Sequence, residues 1–104
     1  MKPCRFRPAA KADMRRAVAY YRREAGAEVA ARLVRQFKRA ESTLKAEPGI
    51  GSPQIGDELG IAGLRAWLLT DFPLSFWYVE REDHVDVVRL VGHRQAREGI
   101  DLAP

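Results

Sequence analysis

Gly26 separates two runs of apolar residues that both keep helical spacing, and this arrangement restricts the chain to folds built on a helical hairpin. Ala10, Met14, Ala17, Val18, Tyr21 and Ala25 form the first stripe, and Ala30, Leu33, Val34, Phe37, Ala40 or Glu41, and Leu44 the second. Lys11, Arg15, Arg16, Arg22 and Arg23 fall largely off the first stripe, and Arg32, Arg35, Lys38, Arg39 and Lys45 off the second. Pro8 suits the first turn of a helix, where a missing N–H costs nothing, and Pro48-Gly49 ends the second pattern. The result is two antiparallel amphipathic helices, each of about four to five turns, close-packed through their alanines. Ala30, Leu33, Val34, Phe37 and Leu44 are expected to pack on Ala10, Met14, Val18 and Tyr21. Asp13 is expected to favour the positive N-terminal end of the first helix.

The flanking segments read differently. Residues 4–7 alternate apolar and basic between two prolines, as a short edge strand does. Residues 48–63 hold five of the eight glycines and no apolar period, which predicts a long connecting loop. Its glycines lack the Gly-Lys-Ser/Thr ending of a phosphate-binding loop. From Leu64 to Leu69 the chain turns to strand, and Thr70-Asp71-Phe72-Pro73 breaks the run. Leu74 to Glu80 is rich in aromatic and β-branched residues and gives the strongest strand signal. A polar turn, Arg81-Glu82-Asp83-His84, leads to a last strand over Val85 to Val91. The fold class is therefore α+β, in the order β-α-α-β-β-β. An N-terminal edge strand and a helical hairpin pack on an antiparallel sheet of three to four strands. Residues 1–104 read as one domain, with 92–104 a polar C-terminal tail ordered poorly or by a partner.

A hydrophobic fraction of 46%, with two tryptophans, three tyrosines and four phenylalanines, supports a globular core. Cys4 stands alone, so no intrachain disulfide can form, and it reads as a small buried or edge-strand thiol. No apolar run follows Lys2, Arg5 and Arg7 as a secretory leader requires, and no stretch is long enough for a membrane span. The expected compartment is the cytoplasm. His84 and His93 have no carboxylate at ligand spacing, so neither a metal nor another cofactor is expected.

Charge is unevenly spread. Residues 1–47 carry 13 Lys/Arg against 5 Asp/Glu, a balance of +8, while residues 48–104 carry 5 against 9, a balance of −4. Arginine supplies 14 of the 18 cations, and its planar fork suits carboxylates and phosphates equally. Such a basic half predicts an anionic partner, either nucleic acid or an acidic protein segment.

Several short motifs add to this frame. Ala10-x-x-Asp13 with Tyr20, Pro48-x-x-Gly51, Leu64-Arg65, Tyr78, and Arg89-x-x-x-His93-Arg94 occur in this order along nearly the whole chain. Together they resemble the RelE/ParE toxin superfamily, and most closely its ParE-like branch. The resemblance implies the toxin of a bacterial type II toxin–antitoxin pair, in a possible hetero-oligomer with a cognate antitoxin that is acidic and folds on binding. ParE-like members poison DNA gyrase, whereas RelE-like members cleave mRNA on the ribosome. Cleavage needs a base, an acid and cations over the scissile phosphate, which RelE-like toxins draw from Lys, Arg and usually a C-terminal Tyr. Here no Lys follows Lys45 and no Tyr follows Tyr78, which favours the gyrase poison.

The alternatives are a ribosome-dependent mRNA endonuclease using Arg65, Arg89 and His93, and a non-toxic basic binding module. Arg89 and His93 share strand parity, so the three would form one constellation if Arg65 pointed the same way. For binding an antitoxin or target, the candidate residues are Arg65, Trp67, Trp77, Tyr78, Arg89, His93, Arg94 and Arg97. Trp67, Phe76, Trp77 and Tyr78 are expected beneath the hairpin and along a partner groove.

Overall fold

The computed structural model describes residues 1–94 and 100–102. Strand β1 (Cys4–Phe6) leads into helices α1 (Pro8–Ala25) and α2 (Ala27–Ala46), a short helix α3 (Gln54–Leu59), and strands β2 (Leu64–Leu68), β3 (Leu74–Glu80) and β4 (Val85–Gly92). The sheet order is β1-β4-β3-β2. β2, β3 and β4 form an antiparallel meander, and β1 joins β4 in parallel, with Cys4 opposite Val85 and Phe6 opposite Val87. The α+β class agrees with the sequence reading, and so does the β-α-α-β-β-β order apart from the added α3; the parallel edge strand makes mixed a sheet expected to be antiparallel. A parallel neighbour needs a long crossover, which the rest of the fold supplies.

Gly26 alone joins the two long helices. Its φ of 97° suits glycine, its N–H donates to the Arg22 carbonyl, and its own carbonyl accepts from the Ala30 N–H. Ala10, Leu33, Phe37, Ala40 and Leu44 are buried against Phe76, Tyr78, Val85, Val87 and Leu90 on one face of the sheet. Phe76 meets Phe6 and Phe37, each at a ring-centroid distance of 5.7 Å. Val34 departs from expectation: it is 37% exposed, because it lies at the margin of the α2 stripe that Leu33 and Phe37 centre. Ala40, not Glu41, takes the contested core position.

The predicted loop over 48–63 contains α3, which stops at Gly60 in the left-handed region. Six residues are too few for a helical period to show in the sequence. α3 covers the second face of the sheet, where Ile55, Leu64, Trp77 and Val91 are buried. Ile100 and Leu102 pack on the same cluster, so this part of the expected loose tail is docked.

A β-bulge sets the facing of β4. Trp77 pairs with Arg89 and Tyr78 with Val87, leaving Val88 without a partner in the register. The extra residue reverses parity, so Val85 and Val87 face the helices, and so does Leu90. Arg89 is thereby turned to the side of its cross-strand partner Trp77.

Candidate partner-binding site

Two polar ties hold the motif residues, and together they shape the surface around them. The first is centred on Asp13. Although Asp13 lies on α1, it is past the first turn, and its carboxylate reaches across to β4 rather than serving the helix dipole. Arg89 donates to it twice, from Nε at 2.7 Å and from an Nη at 2.9 Å, and the Leu90 N–H donates at 3.1 Å. β1 ends before this point of β4, so Asp13 satisfies a strand N–H that has no neighbouring strand. Arg16 closes the set as a third partner. The paired carboxylate holds the Arg89 guanidinium above its usual pKa, against the opposing effect of burial.

The second tie is Tyr78, whose side chain is fully buried. Its hydroxyl donates to the Pro48 carbonyl at 2.7 Å and accepts from the Gly51 N–H at 2.8 Å. Burial pushes its pKa up, so the phenol stays protonated for this role. A Cβ at residue 51 would sit 2.5 Å from the Tyr78 hydroxyl and 2.9 Å from the Ala66 carbonyl, so only glycine fits. Arg65 donates to the Gly51 carbonyl at 2.8 Å. Pro48, Gly51, Arg65 and Tyr78 thus form one clasp between the post-hairpin turn and the sheet.

The conditional cleavage constellation does not assemble around these ties. Arg65 stands opposite Tyr78, on the helix-facing side, whereas Arg89 stands opposite Trp77, on the other side. His93 is exposed beyond β4, with Nε2 3.1 Å from the Ser75 hydroxyl and its N–H donating to the Pro73 carbonyl. Arg94 is exposed beside it. Trp67 is half-buried against the helix-side core. Trp77 is buried on the opposite face, and so does not lie beneath the hairpin as expected. Arg97 lies outside the described residues.

A cleft of about 580 Å³ opens between α1 and the ends of β3 and β4. Ala17, Leu74 and Leu90 line its apolar part, Tyr20 and Tyr21 its helix side, and Arg16, His93 and Arg94 add polar groups. Tyr20 is 49% exposed, and Arg23 lies over its ring at 5.7 Å from the centroid. Sequence reasoning placed Tyr20 in a motif but did not select it for the site. Its neighbours His93 and Arg94 are far away in the chain, and only the fold joins them.

Cys4 is inert by comparison. Burial, reinforced by Glu41, pushes its thiol up to about 11, so it stays protonated at neutral pH. Among the described residues, no group of three or more His, Cys, Asp or Glu is placed to hold a metal ion. No described helix is long and apolar enough to cross a membrane.

A basic helical hairpin laid on a mixed four-stranded sheet, with a tyrosine-lined cleft at the sheet's end, gives a small α+β protein with the fold that the motif resemblance implied. The chain belongs to the ParE toxin family: the sequence profile described as "ParE toxin of type II toxin-antitoxin system, parDE" matches residues 4–97. Among solved structures it is similar to a chain of the "Chromosomal ParDE TA system from P. aeruginosa", with a TM-score of 0.74 and 21% identity. That match covers 88% of this chain and 96% of the other, and at such identity it is a likeness of fold. No curated protein matches the chain.

Proposed function

We propose that this chain is a cytoplasmic toxin that inhibits DNA gyrase by binding it, and that a cognate antitoxin with an acidic, partly disordered segment neutralises it. The observation that carries this reading is the separate engagement of the three groups a ribonuclease would need together. Arg65 is held by the Gly51 carbonyl, Arg89 by Asp13, and His93 by Ser75. A scissile phosphate needs cations and a proton carrier at one point, and these three groups are spread over two faces of the sheet. Membership of the ParE toxin family supports the same choice. The cleft, with exposed Tyr20 above an apolar floor, offers an aromatic anchor of the kind that dominates protein–protein affinity. The similar ParDE chain comes from a toxin–antitoxin system, which supports an antitoxin partner here. A bound antitoxin would raise the toxin's melting temperature through linkage.

The test is to add purified chain to a gyrase supercoiling reaction and, separately, to induce it in cells while following mRNA integrity. Supercoiling should stop and mRNA should stay whole. His93→Ala should change inhibition by no more than a few-fold, because one polar group at an interface carries less than its anchors. If mRNA is instead cut at the ribosomal A site, with His93→Ala slowing cleavage by about two to four orders of magnitude, the endonuclease replaces the gyrase poison.

A further inference from the structure

The outer face of the helical hairpin is built unlike the cleft. Lys11, Arg15 and Arg22 on α1, and Arg35, Lys38 and Arg39 on α2, are all exposed. None of the six forms an ion pair with a carboxylate among the described residues. Arg15 and Arg22 line a shallow groove between the helices of about 350 Å³, together with Met14, Val18, Ala19 and Phe37. Arg35 and Lys38 point away from the side that carries Leu33, Phe37, Ala40 and Leu44, on the solvent side of the hairpin, while Arg39 turns to its flank beside Trp67 and Thr70.

We propose that this face is an electrostatic seat for the sugar–phosphate backbone of duplex DNA, read without sequence preference. The argument is one of charge complementarity and of what the face lacks. A protein partner would need an accessible aromatic or aliphatic anchor, but in the groove Phe37 is buried and Met14 and Val18 are half-buried, and of the large apolar residues of α2 only Val34 is exposed, at 37%. Single-stranded nucleic acid would need aromatic platforms for its bases, but Tyr20 and Tyr21 belong to the cleft. A duplex backbone needs cations, and arginine forks match phosphate oxygens. Lys11 to Arg22 spans about 16 Å at the helical rise, so the α1 row alone can meet several successive phosphates of one groove edge. The choice of DNA over duplex RNA rests on the gyrase reading, since DNA is the substrate on which gyrase acts.

The experiment measures binding of the purified full chain, without gyrase, to a fluorescent mixed-sequence DNA duplex by anisotropy. Salt is varied from about 50 to about 200 mM. Two variants of equal net charge are compared: Arg15→Gln/Arg22→Gln, within the seat, and Arg5→Gln/Arg23→Gln, exposed but outside it. The seat variant should lower the slope of log affinity against log salt by about two and weaken binding at least about tenfold at the low-salt end. The second variant should bind like the parent, and thermal unfolding should show both folded. Equal losses in the two variants would mean attraction by net charge alone and would overturn the seat. So would a polyglutamate chain that displaces the duplex at equal charge concentration, since it would assign the face to an acidic protein. Gyrase inhibition is scored in a separate reaction, so a parent chain that fails to bind the duplex while still blocking supercoiling rejects this seat and leaves the gyrase reading standing. Parent chain that binds DNA as described without blocking supercoiling keeps the seat and rejects the gyrase reading.

Discussion

One face of the sheet carries Phe76, Tyr78, Val85, Val87 and Leu90 beneath helices of 18 and 20 residues, whereas the other is covered by a six-residue helix and the stretch Ile100–Leu102. Both faces hold buried aromatics, yet the chain invests in them unequally. On the helix side, burial is continuous and aromatic contacts interlock through Phe6, Phe37 and Phe76. On the opposite side the apolar cluster is smaller, and its cover at Ile100 and Leu102 is only half-buried. The hairpin side is thus the more continuously packed of the two, while the hairpin's outer face and the cleft at the sheet's end remain exposed.

That contrast can be tested by removing one apolar side chain from each face. Phe37→Ala should cost about 3–5 kcal/mol in urea unfolding, a large share of what a domain of this size has. Leu102→Ala, at a half-buried site on the thin cover, should cost about 1 kcal/mol. Equal costs would mean that the two faces contribute alike and that the C-terminal stretch is as much core as the hairpin is.

Asp13 is the point where the two faces meet, since it sits on a hairpin helix and holds an arginine turned to the other side. Asp13→Ala leaves the Arg89 guanidinium and the Leu90 N–H without their carboxylate, and should cost about 3 kcal/mol. Asp13→Asn keeps an acceptor for that N–H and should recover part of the loss. If the alanine variant unfolds at the parent's urea midpoint, Arg89 is adequately served by the Asp101 carbonyl that it also reaches, and the Asp13 tie is dispensable.

The hairpin was legible because its helices are long enough for a 3.6-residue period to stand out, and Gly26 marks the only break. The strands followed from aromatic and β-branched runs, whereas α3 was too short to announce itself. The site was less legible, and for a definite reason. Strand parity puts Arg89 and His93 on one side, but the bulge at Val88 and the cross-strand register decide which side, and neither is written locally. The motif residues were visible as types, while their pairing was not: Asp13 with Arg89 spans 76 positions, and Gly51 with Tyr78 spans 27. Once folded, Asp13, Gly51, Arg65, Tyr78 and Arg89 are explained by the ties they form. Tyr20 on α1, with His93 and Arg94 just beyond β4, stays exposed at the cleft.

The smallest expected effect concerns pH and lies on the less covered face. Asp86 accepts from Arg7 at 3.0 and 2.8 Å and from Arg81 at 3.2 and 3.0 Å, and Arg7 in turn donates to the Leu102 carbonyl at 2.8 Å. The Arg7 hydrogen bonds, more than those of Arg81, hold the Asp86 carboxyl below its ordinary value of 3.8, overcoming the opposing effect of burial. A carboxylate with a depressed pKa in the folded chain adds stability that is complete above the unfolded pKa and is lost as pH falls through the folded one. At neutral pH the contribution is therefore fully present, and it should fade only below about pH 4. Arg81 is 47% exposed, so water and salt screen its share, and the whole effect should stay below the cost of Asp13→Ala. Melting temperature followed from about pH 6 down to about pH 2 should fall less steeply in Asp86→Asn than in the parent, because the amide does not titrate. Parallel curves would remove Asp86 from the account of acid unfolding.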